Sequence, residues 1–101
     1  MYNTDHNAPQ ECYTLLLFVT GMSITSIKAI ENITDVCEQY LKGRYTLEII
    51  DVFNNPAKVT QHDIIACPTL VKKSPAPIKK LVGDLSDKKK VLYGLDININ
   101  K

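Results

Sequence analysis

The sequence predicts a single small α/β domain whose elements run β-α-β-α-β-β-α. Three observations carry that prediction. Residues 13–20, Tyr-Thr-Leu-Leu-Leu-Phe-Val-Thr, form a near-continuous β-prone run. Such a run marks a strand buried on both faces, and so a sheet covered by helices. Ile27, Ile30, Ile33, Cys37, Tyr40 and Leu41 recur at steps of three and four, one apolar stripe along a helix from about residue 24 to 41. Finally, 101 residues have room for one hydrophobic core and not two.

The elements follow in order. Gly21-Met22-Ser23 ends the first strand, and Lys42-Gly43 closes the helix with a cation and a residue free to adopt positive φ. Residues 44–52 read as a second strand, with Tyr45, Leu47 and Ile49 on one face and Thr46 and Glu48 on the other. Two strands joined by so long a helix lie parallel, through a right-handed crossover. Asn55 then caps a short helix that starts at Pro56 and reaches about Ile65. Beyond it the pattern allows alternatives. Leu70–Lys73 and Ile78–Val82 fit two antiparallel strands around Ser74-Pro75-Ala76-Pro77, but Ser74-Pro75 also fits the start of a helix to Val82. Ser86-Asp87 fits the cap of a last helix holding Val91, Leu92 and Leu95, while residues 91–97 also fit a strand, with Gly94 opposing both. The domain is expected over 12–97, between a disordered tail at 1–11 and a short tail at 98–101.

Composition narrows the function classes. No apolar stretch nears the roughly 18–20 residues of a membrane span, and residues 1–10 lack the order of a signal peptide, so a cytoplasmic protein is expected. Cys12, Cys37 and Cys67 have neither disulfide-framework nor metal-site spacing, and His6 and His62 stand apart from them; no metal and no cofactor is expected. Residues 1–51 carry seven acids against three bases, and residues 52–101 nine lysines against four acids. The lysines cluster as Lys72-Lys73, Lys79-Lys80 and Lys88-Lys89-Lys90. Without arginines or stacking aromatics among them they do not read as a nucleic-acid surface. Solvated strand edges and helix faces account for them, with an acidic protein partner as the alternative.

The element order, with Pro68-Thr69 opening the third strand, resembles the thioredoxin fold, whose members keep a cis-proline there. A redox member carries its thiolate just after the first strand, where helix amides lower a thiol pKa. Here that stretch is Gly21-Met22-Ser23-Ile24-Thr25-Ser26, without a thiol. Cys67 reads as a packing residue, and Ser23 and Ser26 as helix caps in preference to an anion site. No catalytic residue is assigned.

A closer resemblance rests on Val19-Thr20-Gly21, Lys42-Gly43-Arg44-Tyr45, Ile50-Asp51-Val52-Phe53-Asn54-Asn55-Pro56 and Ala66-Cys67-Pro68-Thr69-Leu70. It continues through Pro75-Ala76-Pro77, Gly83-Asp84-Leu85-Ser86-Asp87 and Lys90-Val91-Leu92-Tyr93-Gly94-Leu95-Asp96. Across about residues 12–97 the chain resembles the KaiB family of the bacterial Kai clock. The resemblance implies a non-enzymatic protein that binds the ATPase KaiC, in circadian timing or in stress signalling, and that forms homo-oligomers, dimers or tetramers. It also implies a C-terminal half that adopts either a thioredoxin-like or an alternative, tetramer-forming arrangement. By resemblance, Lys28, Tyr45, Thr46, Glu48, Asp63 and Ile64 face partners. The resemblance also implies that Tyr13, Tyr93, Gly94 and Asp96 tune the two arrangements, and slow X-Pro isomerisation at Pro68, Pro75 and Pro77 is expected to retard their exchange. For Gly94 a physical reason is available: alanine there favours helix by roughly 1 kcal/mol. Glu48 inverts a basic position of the clock-type relatives and Ile64 replaces a lysine, which weighs against capture of KaiA. The alternatives are a thioredoxin-fold redox or glutathione-binding protein using Cys67, and an adaptor for a SasA-like histidine kinase.

Overall fold

The long apolar run lies at the centre of the sheet. In the computed structural model, which describes residues 11–97, β1 (Tyr13–Val19) has β2 (Tyr45–Asp51) on one side and β3 (Thr69–Ser74) on the other, with β4 (Lys79–Val82) outermost. Apart from Glu11, the tails expected at 1–11 and 98–101 lie outside the described residues. β1 and β2 are parallel, in register from Tyr13 opposite Tyr45 to Val19 opposite Asp51, and α1 (Ile24–Tyr40) joins them. β3 runs antiparallel to β1, and β4 antiparallel to β3.

Alternation along β1 feeds two cores. Tyr13, Leu15, Leu17 and Val19 pack with Ala29, Ile33, Val36 and Cys37 of α1 and with Val91 and Leu92 of α3 (Lys88–Gly94). Leu16 and Phe18 turn the other way and pack with Ile50 and Val71, flanked by Val59 of α2 (Pro56–Gln61) and by Ile64 and Cys67. The layering is helices, sheet, then one short helix.

Local chemistry sets the boundaries. Ser23 caps α1, its hydroxyl accepting from the Ser26 amide at 3.2 Å. The helix buries Ser26, Ala29, Ile33, Val36 and Cys37, so the expected stripe holds at Ile33, Cys37 and the following Leu41, while in the first turns Ser26 and Ala29 face the core and Ile27 and Ile30 are only half-buried. At its far end the cation is not Lys42 but Arg44, whose guanidinium donates to the Tyr40 carbonyl at 3.2 Å. Glycine 43 does take positive φ, at 79°.

α2 stops at Gln61, four residues short of the expected end. Asp63 adopts a left-handed φ of 53°; its amide donates to Thr60 and that of Ile64 to Val59. This closing pair of bonds satisfies the last carbonyls and seats Ile64 beside Val59. At the other end Asn55 occupies the cap position but makes no side-chain cap; its amide group donates to the Asp51 carbonyl at 2.9 Å.

The two ambiguous stretches resolve as hairpin and helix. Lys72 pairs with Lys79 across the Pro75–Pro77 turn, so no helix spans 75–82. α3 forms because a helix brings Val91, Leu92 and Leu95 to one buried face, whereas a strand would send Leu92 outward. Asp87 caps it, its carboxylate accepting from the Lys90 amide at 3.2 Å.

Candidate functional site

Parallel pairing of β1 with β2 places the segments that follow them at one end of the sheet, and antiparallel β3 brings its leading segment, residues 64–68, to the same end. There four large apolar side chains stand in solvent: Met22, Ile24, Phe53 and Ile65, the last 96% exposed. Beside them a cleft of about 300 Å³ is lined by Thr20, Val52, Val59, Ile64, Ile65, Ala66 and Cys67. Together these four side chains make an apolar crest at that end of the sheet.

The crest holds no activated nucleophile. Thr20, Ser23 and Ser26 are occupied with one another: the Thr20 amide donates to Ser26 Oγ at 3.2 Å, and Ser23 Oγ donates to the same atom at 2.9 Å. Burial pushes the Cys67 thiol up from its ordinary value, away from the reactive thiolate. Cys37, sealed in the core, is pushed up to about 12 for the same reason.

The expected partner-facing residues fall in three places. Asp63 and Ile64 lie just ahead of the crest; Asp63 is exposed, and its carbonyl accepts weakly from Lys80 at 3.4 Å. Tyr45, Thr46 and Glu48 lie on β2, an edge strand. There Glu48 accepts from Lys58 of α2 at 2.9 Å, so the inverted charge has a counter-ion in its own chain. Tyr45 donates to Glu38 at 2.6 Å, a bond that raises its hydroxyl pKa to about 12. Lys28 is on the exposed side of α1, where its charge acts on Asp84 in the loop before α3, and it does not join the β2 group.

The expected tuning residues are partly brought together. The Tyr13 hydroxyl donates to the Asp96 carbonyl at 3.0 Å, and the Asp96 carboxylate accepts from Lys72 Nζ at 3.0 Å. Lys72 also lies 6.0 Å from the centre of the Tyr13 ring. That ion pair holds the Asp96 carboxyl below its ordinary value, and burial lifts the Tyr13 hydroxyl above its own. The lysine was not foreseen: its side chain is 1% exposed, against the expectation of a solvated lysine cluster. The available signal was its alternation with Leu70 on a core face of β3.

Gly94 ends α3 against β4, where an added Cβ would come within 2.5 Å of Leu81 Cδ2. The near atoms belong to the end of the Leu81 side chain, which must turn to admit the Cβ. Tyr93 points into solvent and takes no part in the Tyr13 contact. Pro68 is buried beneath the crest, and Pro75 and Pro77 shape the β3–β4 turn.

Comparison with known proteins agrees with this arrangement. A family model described as "KaiB domain" matches residues 16–97. A circadian clock oscillator protein KaiB from Cyanothece is 42% identical over 88 residues, covering 87% of this chain and 84% of that one. One from Synechococcus elongatus is 40% identical over 90 residues, covering 89% and 88%. Among solved structures, the N-terminal domain of Synechococcus elongatus SasA superposes with a TM-score of 0.71 at 22% identity, covering 93% of this chain and 92% of that one. Mitochondrial thioredoxin 3 of Saccharomyces cerevisiae gives 0.68 at 16% identity, covering 86% and 79%. These two likenesses define the fold as thioredoxin-like.

Proposed function

The chain belongs to the KaiB family, and from that premise we propose that it is a non-enzymatic clock-type regulator that docks on a KaiC-type ATPase through the apolar crest. The observation that carries the reading is the exposure of Met22, Ile24, Phe53 and Ile65 at the end of the sheet where a redox relative would keep its thiol. Surface replaces chemistry at that place. Apolar anchors flanked by a cleft are the usual energetic centre of a protein interface, and Asp63 beside them supplies a polar rim.

The β2 edge contributes less to this reading. Its acidic Glu48 is committed to Lys58, so a partner recognised through a free basic side chain at that position, as KaiA would be by resemblance, finds none. The reading also includes a C-terminal half able to leave the arrangement described above.

The test is binding of the parent chain and of its Ile65→Asp and Phe53→Asp variants to a KaiC-type ATPase from the same organism. Both side chains are exposed, so folding is preserved, and affinity is expected to fall by roughly tenfold or more for each. No association in the parent, or equal affinity in all three, would overturn the proposal.

A further inference from the structure

The least ordinary residue in the molecule is Lys72. It stands in the middle of β3, on the face shared with Leu70 and opposite Leu15, where the pattern of a core strand calls for an apolar side chain. Its side chain is 1% exposed, and its sole carboxylate partner within 4 Å among the described residues is Asp96, which is itself 48% exposed. Asp96 is the residue that closes α3: its φ is 57°, its amide donates to Tyr93, and the next amide, of Ile97, donates to Leu92. The same residue is thus held three ways, by its own helix, by the Tyr13 hydroxyl on β1 and by Lys72 on β3.

From this geometry we infer that Lys72 and Asp96 form a charge-dependent clasp which makes docking of α3 on the sheet conditional. The physical reasoning concerns what each state does to the ammonium. With α3 docked, Val91, Leu92, Leu95 and Ile97 are buried, and so is the Lys72 charge. With α3 away, the charge is free to meet water. Burying an ion is unfavourable unless its partner is present with good geometry, and a buried pair commonly adds less stability than an apolar replacement of similar shape. The lysine therefore subtracts from docking what the apolar side chains add, and Asp96 restores it. Tyr13 ties the clasp to the central strand through the Asp96 carbonyl, so loss of the helix ending disrupts both bonds together.

The inference rests on the proposed reading of a remodelled C-terminal half and names the contact that governs it. Hydrogen exchange of the full-length chain tests it, comparing amides of residues 91–97 with those of β1 in the parent, Asp96→Asn, Lys72→Met and the double variant. Asp96→Asn is expected to speed exchange in 91–97 by roughly tenfold or more, since it leaves a buried ammonium without its charge partner. Lys72→Met, close in shape but uncharged, is expected to keep or slow that exchange, and adding Asp96→Asn to it is expected to change little. If Asp96→Asn accelerates exchange as much with methionine at 72 as with lysine, or if Lys72→Met alone loosens α3, there is no clasp. ATPase binding measured on the same four proteins separates the two ideas. Coupled exchange without binding in the parent sinks the partner and leaves the clasp, and binding with uncoupled exchange does the reverse.

Discussion

In residues 13–51 two seven-residue strands flank a seventeen-residue helix, and their contacts are a broad apolar seam from Tyr13 to Val19 against Ala29, Ile33, Val36 and Cys37. In residues 69–97 the strands have six and four residues and the helix seven, and single directional bonds supplement the apolar packing of Leu70, Val91, Leu92 and Leu95. Lys72 meets Asp96, the Tyr13 hydroxyl meets the Asp96 carbonyl, and the Asn32 side chain donates to the Asp84 carbonyl at 2.8 Å. An apolar seam is insensitive to the loss of any one polar atom, whereas a smaller apolar face supplemented by a few named polar atoms is loosened when one of them changes. The second region is thereby suited to rearrangement, and the first to serving as its fixed platform.

The largest expected effect comes from cutting the same side chain in each region. Leu17→Ala, at a fully buried position of β1, is expected to cost about 3 kcal/mol of global stability, through lost burial and the cavity left behind. Leu92→Ala, 5% exposed in α3, removes equally apolar atoms but is expected to free α3 while the sheet persists. Denaturation followed together with residue-resolved hydrogen exchange reads both. Should Leu92→Ala lower protection throughout β1 and α1 as Leu17→Ala does, the two regions form one cooperative unit and the contrast fails.

A smaller effect is expected at Gly94. Alanine gains about 1 kcal/mol of helix preference over glycine. Against that, the new Cβ would stand 2.5 Å from Leu81 Cδ2 and 3.1 Å from Cδ1, so the leucine must turn away from α3. Gly94→Ala alone is expected to raise stability by less than that, because the clash falls on the end of the partly buried Leu81 side chain, which turns at modest cost. Placed on a Leu81→Ala background, the same change is expected to raise stability by about the full amount. Thermal melts of the four proteins decide it: an equal gain in both backgrounds would show that the α3–β4 contact does not govern this position.

How much of this was legible in the sequence follows the same division. The run 13–20, the helix stripe and the second strand are written in periodicity, which depends only on neighbours along the chain. The end of α2 was missed because Asp63 takes the left-handed conformation that a glycine or asparagine would have announced. Lys72 has only its alternation with Leu70 as a local mark of burial, and a lysine's charge outweighs that mark when the sequence is read; its partner lies 24 residues away and only the hairpin and α3 together deliver it. The crest was equally hidden. Met22, Phe53 and Ile65 are isolated side chains in three separate segments, and strand order alone gathers them. What the sequence did carry for the C-terminal half was its ambiguity, since weak local preference there leaves tertiary contacts to decide.

The smallest expected effect is a difference in acid response. Among the described residues, the two carboxyls held below their ordinary value of 3.8 both belong to the C-terminal half. Asp84 is lowered by its bonds from Ser86, and Asp96 by the bond from Lys72. A carboxyl depressed in the folded state binds fewer protons there than when unfolded. Its contribution is therefore complete above the ordinary value and is lost as pH falls through the lower, folded one. Both groups are solvent-facing, so screening keeps the effect modest. Acidification from neutrality through 3.8 and below is then expected to loosen α3 and the loop before it ahead of the platform. Methyl NMR would report this as broadening of Val91, Leu92 and Leu95 at a pH where Leu15, Leu17 and Ile33 stay sharp. Raising the salt concentration is expected to narrow that interval, since it weakens the Lys72–Asp96 attraction at its exposed end. Simultaneous broadening of both sets would mean that acid acts on the whole domain and that the polar bonds of the second region have no separate influence.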